Sequence, residues 1–454
     1  MAELRISDTL SGAVRALDPR KPPGVGIYAC GPTVYSRIHV GNARAFAIPM
    51  LFSRLLRHLG YEPRLVINVT DINDKIYAAA RDAGVPSAQL AEEMTSAYAK
   101  DTDRLGLGRP DAEPLASDTI AEIIELIEAL IESGHAYESG GDVYFRVRSF
   151  AGYGKLSNRD PEEMDQGEEA GTASLKENPL DFALWKARKA DEDTAWPSPW
   201  GDGRPGWHIE CSAMGEKLLG ADFDIHSGGA DLIFPHHENE IAQTEGARGV
   251  PLARLWMHNG MVRVADEKMS KSVGNIFQLS EALDAYGPDA VVAYLISGHY
   301  RQPLEFSDQA LTEAQARVKR IRNFVLELPE EGGEPPDAAV TAAREAFVEA
   351  LVDDFNTPRA LAVLFDLIAE GNRRPLPGAR AALEEMLPLL GLEGLLAPPD
   401  AADPEAERLL ADREEARGAR EFERADRLRD ELAARGYEVR DTPEGARLVR
   451  RRGG

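Results

Sequence analysis

The sequence predicts an α/β fold, a parallel-sheet domain interrupted by an insertion and followed by a run of helices and a small C-terminal unit. Three observations predict it. The apolar run "VGIYAC" (25–30) is followed by the helix-spaced stretch "NARAFAIPMLFSRLLRHLG" and a second apolar run, "RLVINVTD", so strand, helix and strand fill about 45 residues. A Pro/Trp/Gly-rich segment at 196–207 leads back to a strand–helix pattern well after the first one ends. From about residue 283 helical patterns dominate, and "LAPPDAADPEAE" (396–407) reads as a linker.

The first strand and helix meet in a loop, and the helix ends at Gly60; Pro49 inside it is expected to kink or split it. After Asp71 the reading turns helical through "DKIYAAARDAG" and "SAQLAEEMTSAYAKDTDRLG" to 117–133. There Ile120, Ile123, Ile124, Ile127, Leu130 and Ile131 make one apolar stripe that belongs to a core. "YESGGDVYFRV" (137–147) reads as a hairpin turning at Gly140 and Gly141. "PEEGGEPPD" (329–337) joins two later helices, and a helix-rich tail of about fifty residues follows the linker. There is no internal repeat and no extended low-complexity segment.

Composition narrows the classes. No apolar run approaches the ~20 residues that span a bilayer, and the opening segment lacks a signal peptide's apolar stretch, so a cytoplasmic address and no membrane partner are expected. Two cysteines, Cys30 and Cys211, exclude a disulfide framework and read as ligands, nucleophiles or buried small residues. A formal net charge of −25 argues against a surface uniformly attractive to nucleic acid. Any polyanion must then be met by local basic patches such as "RLVRRRGG" (447–454), a segment that also suits a solvated end.

Chemistry gathers in three places. His39-Val40-Gly41-Asn42 lies between a strand and a helix start, where free N–H groups and the helix dipole favour a phosphate, although the same letters also describe an ordinary turn. "DEKMSKSVGN" (266–275) sets Lys268 and Lys271 among serines before Gly274, suiting a loop that closes over triphosphate; two lysines on a polar loop are also ordinary solvation. "PHHENE" (235–240) packs two histidines and two carboxylates together. If this stretch opens a helix, with Pro235 in its first turn, His236 and Glu240 share a face while His237 and Glu238 point elsewhere. A metallohydrolase with Glu238 as base is the rival reading, but the H-E-x-x-H order is lacking and the lysine loop stays unexplained.

"HVGN" with "KMSKS" resembles the paired nucleotide motifs of class I aminoacyl-tRNA synthetases, the first departing from "HIGH" at its second and fourth letters. "CGPTVY", "NVTDINDKI", "GWHIECSAM", "FPHHENEIAQ" and "KMSKSVGN" narrow that resemblance to the cysteinyl-tRNA synthetase family, in order over nearly the whole chain. Ser36, where the family commonly has an acid, and Ile48-Pro49-Met50, where an aromatic–acid pair is usual, depart from the pattern.

The resemblance implies a Rossmann-like catalytic domain in two halves, 1–120 and 201–260, around a connective insertion at 121–200. It further implies a KMSKS-loop region at 261–302, a helical bundle at 303–396 and an anticodon-binding domain at 401–454. It implies one zinc ion per chain, held by Cys30, Cys211, His236 and Glu240, all accepted zinc ligand types. Thr70 and Trp207 match the remaining amino-acid contacts, Gly41 and Lys271 bind ATP, and His39, Asn42, Lys268 and Lys271 act on the phosphates. The implied reaction activates L-cysteine with ATP and Mg²⁺ and transfers it to the 2′-OH of tRNA-Cys, in a chain expected to be a monomer. Zinc would select the thiolate, and no segment reads as an editing domain. Two alternatives share the motifs. One is a cysteine ligase of the mycothiol-pathway type, acting on an aminosugar–inositol and needing no anticodon-binding tail; the other is a catalytically silent RNA-binding paralogue.

Overall fold

The computed structural model describes residues 3–160, 174–264, 267–268, 277–329, 335–397, 404–419, 421–435, 437–442 and 445–450. A hairpin of β1 (Arg5–Asp8) and β2 (Ala13–Ala16) precedes the expected unit of β3 (Gly24–Ala29), α1 (Val40–His58) and β4 (Glu62–Ile67). β3 and β4 pair in parallel, from Gly24 opposite Glu62 to Ala29 opposite Ile67.

Helix α1 runs through Pro49 as one helix, so of the two outcomes expected from sequence, a kink or a split, the split does not occur. Proline removes one helical N–H, but Pro49 is buried with Ile48, Met50 and Leu51, and that packing holds the helix together across the missing bond.

α2 (Asp74–Ala83) stops at Gly84, whose left-handed φ of 69° suits glycine, and α3 (Ser87–Asp103) follows. In α4 (Ile120–Glu132) the stripe is core, as the spacing predicts: Ile123, Ile127 and Leu130 are buried and Ile120, Ile124 and Ile131 pack half-buried against the same cluster, while Leu126, outside the stripe, is buried too. β5 (Ala136–Ser139) and β6 (Asp142–Phe145) turn at Gly140 and Gly141, and with β7 (Phe182–Ala187) and β8 (Gly203–Pro205) they form an antiparallel sheet with its own apolar core.

The chain then re-enters the first sheet through α5 (Trp207–Leu219), β9 (Phe223–Gly229), α6 (Glu238–Arg248) and β10 (Ala253–Asn259). The sheet order is β10-β9-β3-β4, all parallel, so two segments far apart in sequence share one sheet. The order reverses between β3 and β9, and a parallel sheet binds ligands beyond the strand ends at such a point.

β11 (Val262–Val264), β12 (Glu267–Lys268) and, after α7 (Leu279–Tyr286) and α8 (Pro288–Leu295), β13 (Leu304–Glu305) make a small sheet beside the strand ends. α9 (Asp308–Glu327), α10 (Ala338–Val352), α11 (Thr357–Gly371) and α12 (Ala379–Leu389) continue the helical part and share one apolar core with α1 and the main sheet. Buried Asp354 ties these parts together: its Oδ1 accepts from the Ser7 N–H at 2.8 Å and the Tyr300 hydroxyl at 2.9 Å, and Arg301 pairs with its Oδ2 at 2.7 Å.

The tail holds α13 (Pro404–Gly418) and α14 (Phe422–Ala434), as expected, and also a hairpin of β14 (Tyr437–Thr442) and β15 (Gly445–Arg450) that sequence reading did not show. No helix among the described residues is long and apolar enough to cross a membrane.

Candidate functional site

The sheet's switch point carries the site. Cys30 follows the last residue of β3, and its N–H donates to the Ser227 carbonyl of β9 at 3.0 Å, fixing it where the two halves of the sheet meet. Cys211 lies one turn after Trp207 on α5, on the same face. Ile233–His237 forms a wide π turn ahead of α6, broken by extended backbone at Phe234, and delivers His236 and Glu240 to the same point.

The four residues expected as ligands meet. Cys30 Sγ lies 3.8 Å from Cys211 Sγ and 3.6 Å from Glu240 Oε1, and His236 Nε2 lies 3.1 Å from that oxygen. A tetrahedral ion with bonds of about 2.3 Å to sulfur and about 2.05 Å to nitrogen or oxygen has edges of about 3.8, 3.6 and 3.3 Å for these pairs. Both thiols and the carboxylate are buried beside one another, a donor set that suits a dication. Burial, with Cys211 and Glu240 alongside, pushes the Cys30 thiol well above its usual range. In Cys211 the hydrogen bond with Cys30 works downward, but burial and Glu240 outweigh it.

Neighbouring rings orient these side chains. His236 has its pKa driven well below normal by burial, and its Nδ1 meets His208 Nδ1 at 2.9 Å, which leaves Nε2 facing Glu240. Trp207 stacks on His236 with ring centroids 4.3 Å apart. Glu240 Oε2 lies 2.9 Å from His226 Nε2. Partners of this kind set the tautomer and aim of metal ligands.

Glu238 does point elsewhere, accepting from the N–H groups of Leu156 and Ser157 in the insertion. His237 does not. Its Nε2 lies 3.3 Å from Cys30 Sγ, because the π turn rotates consecutive residues differently from an α-helix. Sequence reasoning missed His208, His226 and His258, which come from three separate segments, the first turn of α5, the middle of β9 and the end of β10; a histidine inside or closing a buried strand is a signal that could have flagged the last two.

The nucleotide-type motif faces the same cleft: His39, Gly41 and Asn42 line it together with Cys30 and Trp207. His39 caps α1, its Nδ1 accepting from the Asn42 N–H at 3.3 Å while Asn42 Oδ1 accepts from the His39 N–H at 3.1 Å. A Cβ at position 41 would meet the His39 ring at 2.8 Å, so the cap requires Gly41. Asp231, also missed, lines this cleft. Thr70 does not line it: buried, it accepts from Asn68 Nδ2 at 3.2 Å, and its N–H donates to the Pro32 carbonyl. Lys268 ends β12, and Lys271 lies outside the described residues.

Comparison with known proteins sets this geometry in context. Residues 16–316 match the model of the class I (C) tRNA synthetase catalytic domain, 346–392 the DALR domain, and 400–447 the anticodon-binding domain of cysteinyl-tRNA ligase. The chain is similar to the cysteine–tRNA ligases of Halorhodospira halophila, at 48% identity over 99% of this chain and 100% of the relative, and of Symbiobacterium thermophilum, at 47% over 98% and 99%. Its fold is similar to that of Mycobacterium tuberculosis methionyl-tRNA synthetase in complex with methionyl-adenylate, with a TM-score of 0.60 at 19% identity over 82% of this chain and 89% of that one.

Proposed function

The chain belongs to the cysteinyl-tRNA ligase family of class I aminoacyl-tRNA synthetases, and from that premise we propose how its cleft activates L-cysteine with ATP and passes it to tRNA-Cys. The observation that carries the reading is the meeting of the chain's two cysteines with His236 and Glu240 at the spacing of tetrahedral ligands. These four residues would hold zinc, which when bound supplies a soft cation that holds the substrate as its thiolate in preference to the hydroxyl of serine.

The chain's own residues do the rest. Trp207, fixed against His236, walls the amino-acid side of the cleft, and Asp231 accepts the substrate's α-ammonium group. Thr70 stiffens the wall from behind through Asn68, whose Oδ1 accepts from the Gly31 N–H. The N-terminus of α1 presents its dipole and its His39–Asn42 cap to the α-phosphate of Mg²⁺-ATP, with Gly41 letting the backbone approach. A substrate carboxylate oxygen attacks the α-phosphorus, the bond to pyrophosphate breaks, and Lys268 and Lys271 neutralise the charge that develops on the leaving group. The 2′-OH of the terminal adenosine then attacks the carbonyl carbon and AMP departs. In this division 1–120 and 201–260 perform the chemistry around the insertion 121–200, 261–302 carries the lysine loop, 303–396 is the bundle, and 401–454 engages the anticodon.

The test is charging of a tRNA-Cys transcript with labelled cysteine, alongside cysteine-dependent ATP–pyrophosphate exchange on the same preparation. Both activities are expected. Exchange without charging would point to the aminosugar ligase, and neither activity in folded, metal-loaded protein would point to a silent paralogue.

A further inference from the structure

The pocket contains more metal ligands than one tetrahedral ion uses. Besides Cys30, Cys211, His236 and Glu240, a second tetrad of Cys30, His226, His237 and Glu240 brings one donor atom from each residue within 4.8 Å of the others. The two tetrads share Cys30 and Glu240. Cys211 and His236 complete the first; His226 and His237 complete the second.

The second set is built. His237 Nε2 lies 3.3 Å from Cys30 Sγ and 3.9 Å from Glu240 Oε1, and His226 Nε2 lies 2.9 Å from Glu240 Oε2. All four residues are buried. His237 is held from behind, its Nδ1 2.8 Å from His258 Nε2, while His258 Nδ1 lies 2.7 Å from Thr9 Oγ1. A ring held at Nδ1 is aimed at Nε2, as in a ligating histidine. His226 lies nearly parallel to Trp256, ring centroids 4.5 Å apart, which fixes its plane without a hydrogen bond at Nδ1. The first set offers two sulfurs, one nitrogen and one oxygen; the second offers one sulfur, two nitrogens and one oxygen, and both are accepted donor sets for a first-row dication.

We propose that the pocket is a two-seat metal centre, in which one ion pivots on Cys30 and Glu240 and can be held through either Cys211 and His236 or His226 and His237. The proposal rests on the metal reading above. Its consequence is an asymmetry among the ligands: Cys30 and Glu240 are indispensable to metal retention, whereas Cys211 and His236 are each replaceable by the second seat.

Metal content decides this without any activity assay. Full-length wild type and the variants Cys30→Ala, Glu240→Ala, Cys211→Ala and His236→Ala are loaded with Zn²⁺ or Co²⁺ and dialysed, with circular dichroism as the check on folding. Cys211→Ala and His236→Ala should keep about one ion per chain with affinity within roughly tenfold of wild type, while Cys30→Ala and Glu240→Ala should lose about 100-fold or more. The thiolate-to-cobalt absorption of Cys211→Ala should fall to roughly half, as one sulfur replaces two. Adding His237→Ala to Cys211→Ala should abolish retention. If folded Cys211→Ala and His236→Ala lose metal as completely as Cys30→Ala, the second seat is overturned while the metal reading stands. A wild type that retains no metal overturns both.

Discussion

Burial holds the ring of His258 neutral, its pKa lowered to about 3, and does the same to His208, with Lys186 adding to the effect there. A charged imidazole at either position would lose its water, and at His258 the nearby Asp8 carboxylate offsets only part of that cost. The unfolded chain binds a proton at each ring near the ordinary value of 6.5, whereas the folded chain stays unprotonated until about pH 3. Between those values the unfolded state holds more protons, so stability is fully present above pH 6.5 and is lost as pH falls through the window, by about 1.4 kcal/mol per pH unit for each ring. The urea midpoint of chelator-treated protein should therefore drop more steeply from pH 6.5 to pH 5 in wild type than in His258→Gln; equal slopes would contradict the neutral, buried ring. These histidines also mark the limit of what the chain reveals unaided. Cys30, Cys211, His236 and Glu240 were legible because motif and i, i+4 spacing fix them locally. His208, His226 and His258 join the pocket only through the folding of three distant segments, and the aim of His237 depends on a π turn that no spacing rule contains.

Helix α1 shows the same division one level up. Its strand–helix–strand setting was legible from apolar periodicity, yet its continuity through Pro49 was not, because tertiary packing decides it. Nor was its principal tether. Arg44, fully buried, donates through Nη1 to the carbonyls of Gly260 at 2.8 Å and Gln302 at 2.7 Å, and through Nη2 to that of His299 at 3.0 Å. Gly260 lies between β10 and β11, so one side chain fastens the helix that carries the His39–Asn42 cap to the strand leading toward the lysine loop. Arg44→Met keeps most of the volume but removes a charged donor from three carbonyls, leaving Gly260 with Asn259 Nδ2, His299 with the Gln302 N–H and Gln302 with no donor among the described residues. Thermal unfolding should show a loss of about 3 kcal/mol or more. Cysteine-dependent exchange should fall at least about tenfold even where the variant remains folded, because the α1 cap and the strand leading toward the lysine loop lose their common anchor. Full exchange activity in a destabilised variant would reduce Arg44 to a packing role.

For the whole molecule, the question is how a chain of net charge −25 engages a polyanion. The acidity is uneven: 401–454 carries nearly as many arginines as acids, and Phe422, 64% exposed at the start of α14, offers an aromatic face on which a base can stack. This tail is also a separate core. Among the described residues, Ala406, Leu409, Leu432, Tyr437 and Leu448 form an apolar cluster distinct from the larger cores. Among the described residues, the Cys/His/Glu cluster and the α1 cleft draw nothing from it. Deleting 401–454 should therefore leave the melting transition of the remainder and cysteine-dependent pyrophosphate exchange within about twofold of the full chain, since neither the catalytic core nor its ligands are touched. Charging of tRNA-Cys should fall about 100-fold or more, because tRNA must then bind without the contacts that the arginines and the exposed aromatic ring of this tail add. Charging by the full chain should also weaken steeply with added salt, and the truncated chain should show a shallower slope, fewer phosphates being neutralised. If exchange and charging fall together, the tail supports the catalytic core itself and the anticodon assignment fails.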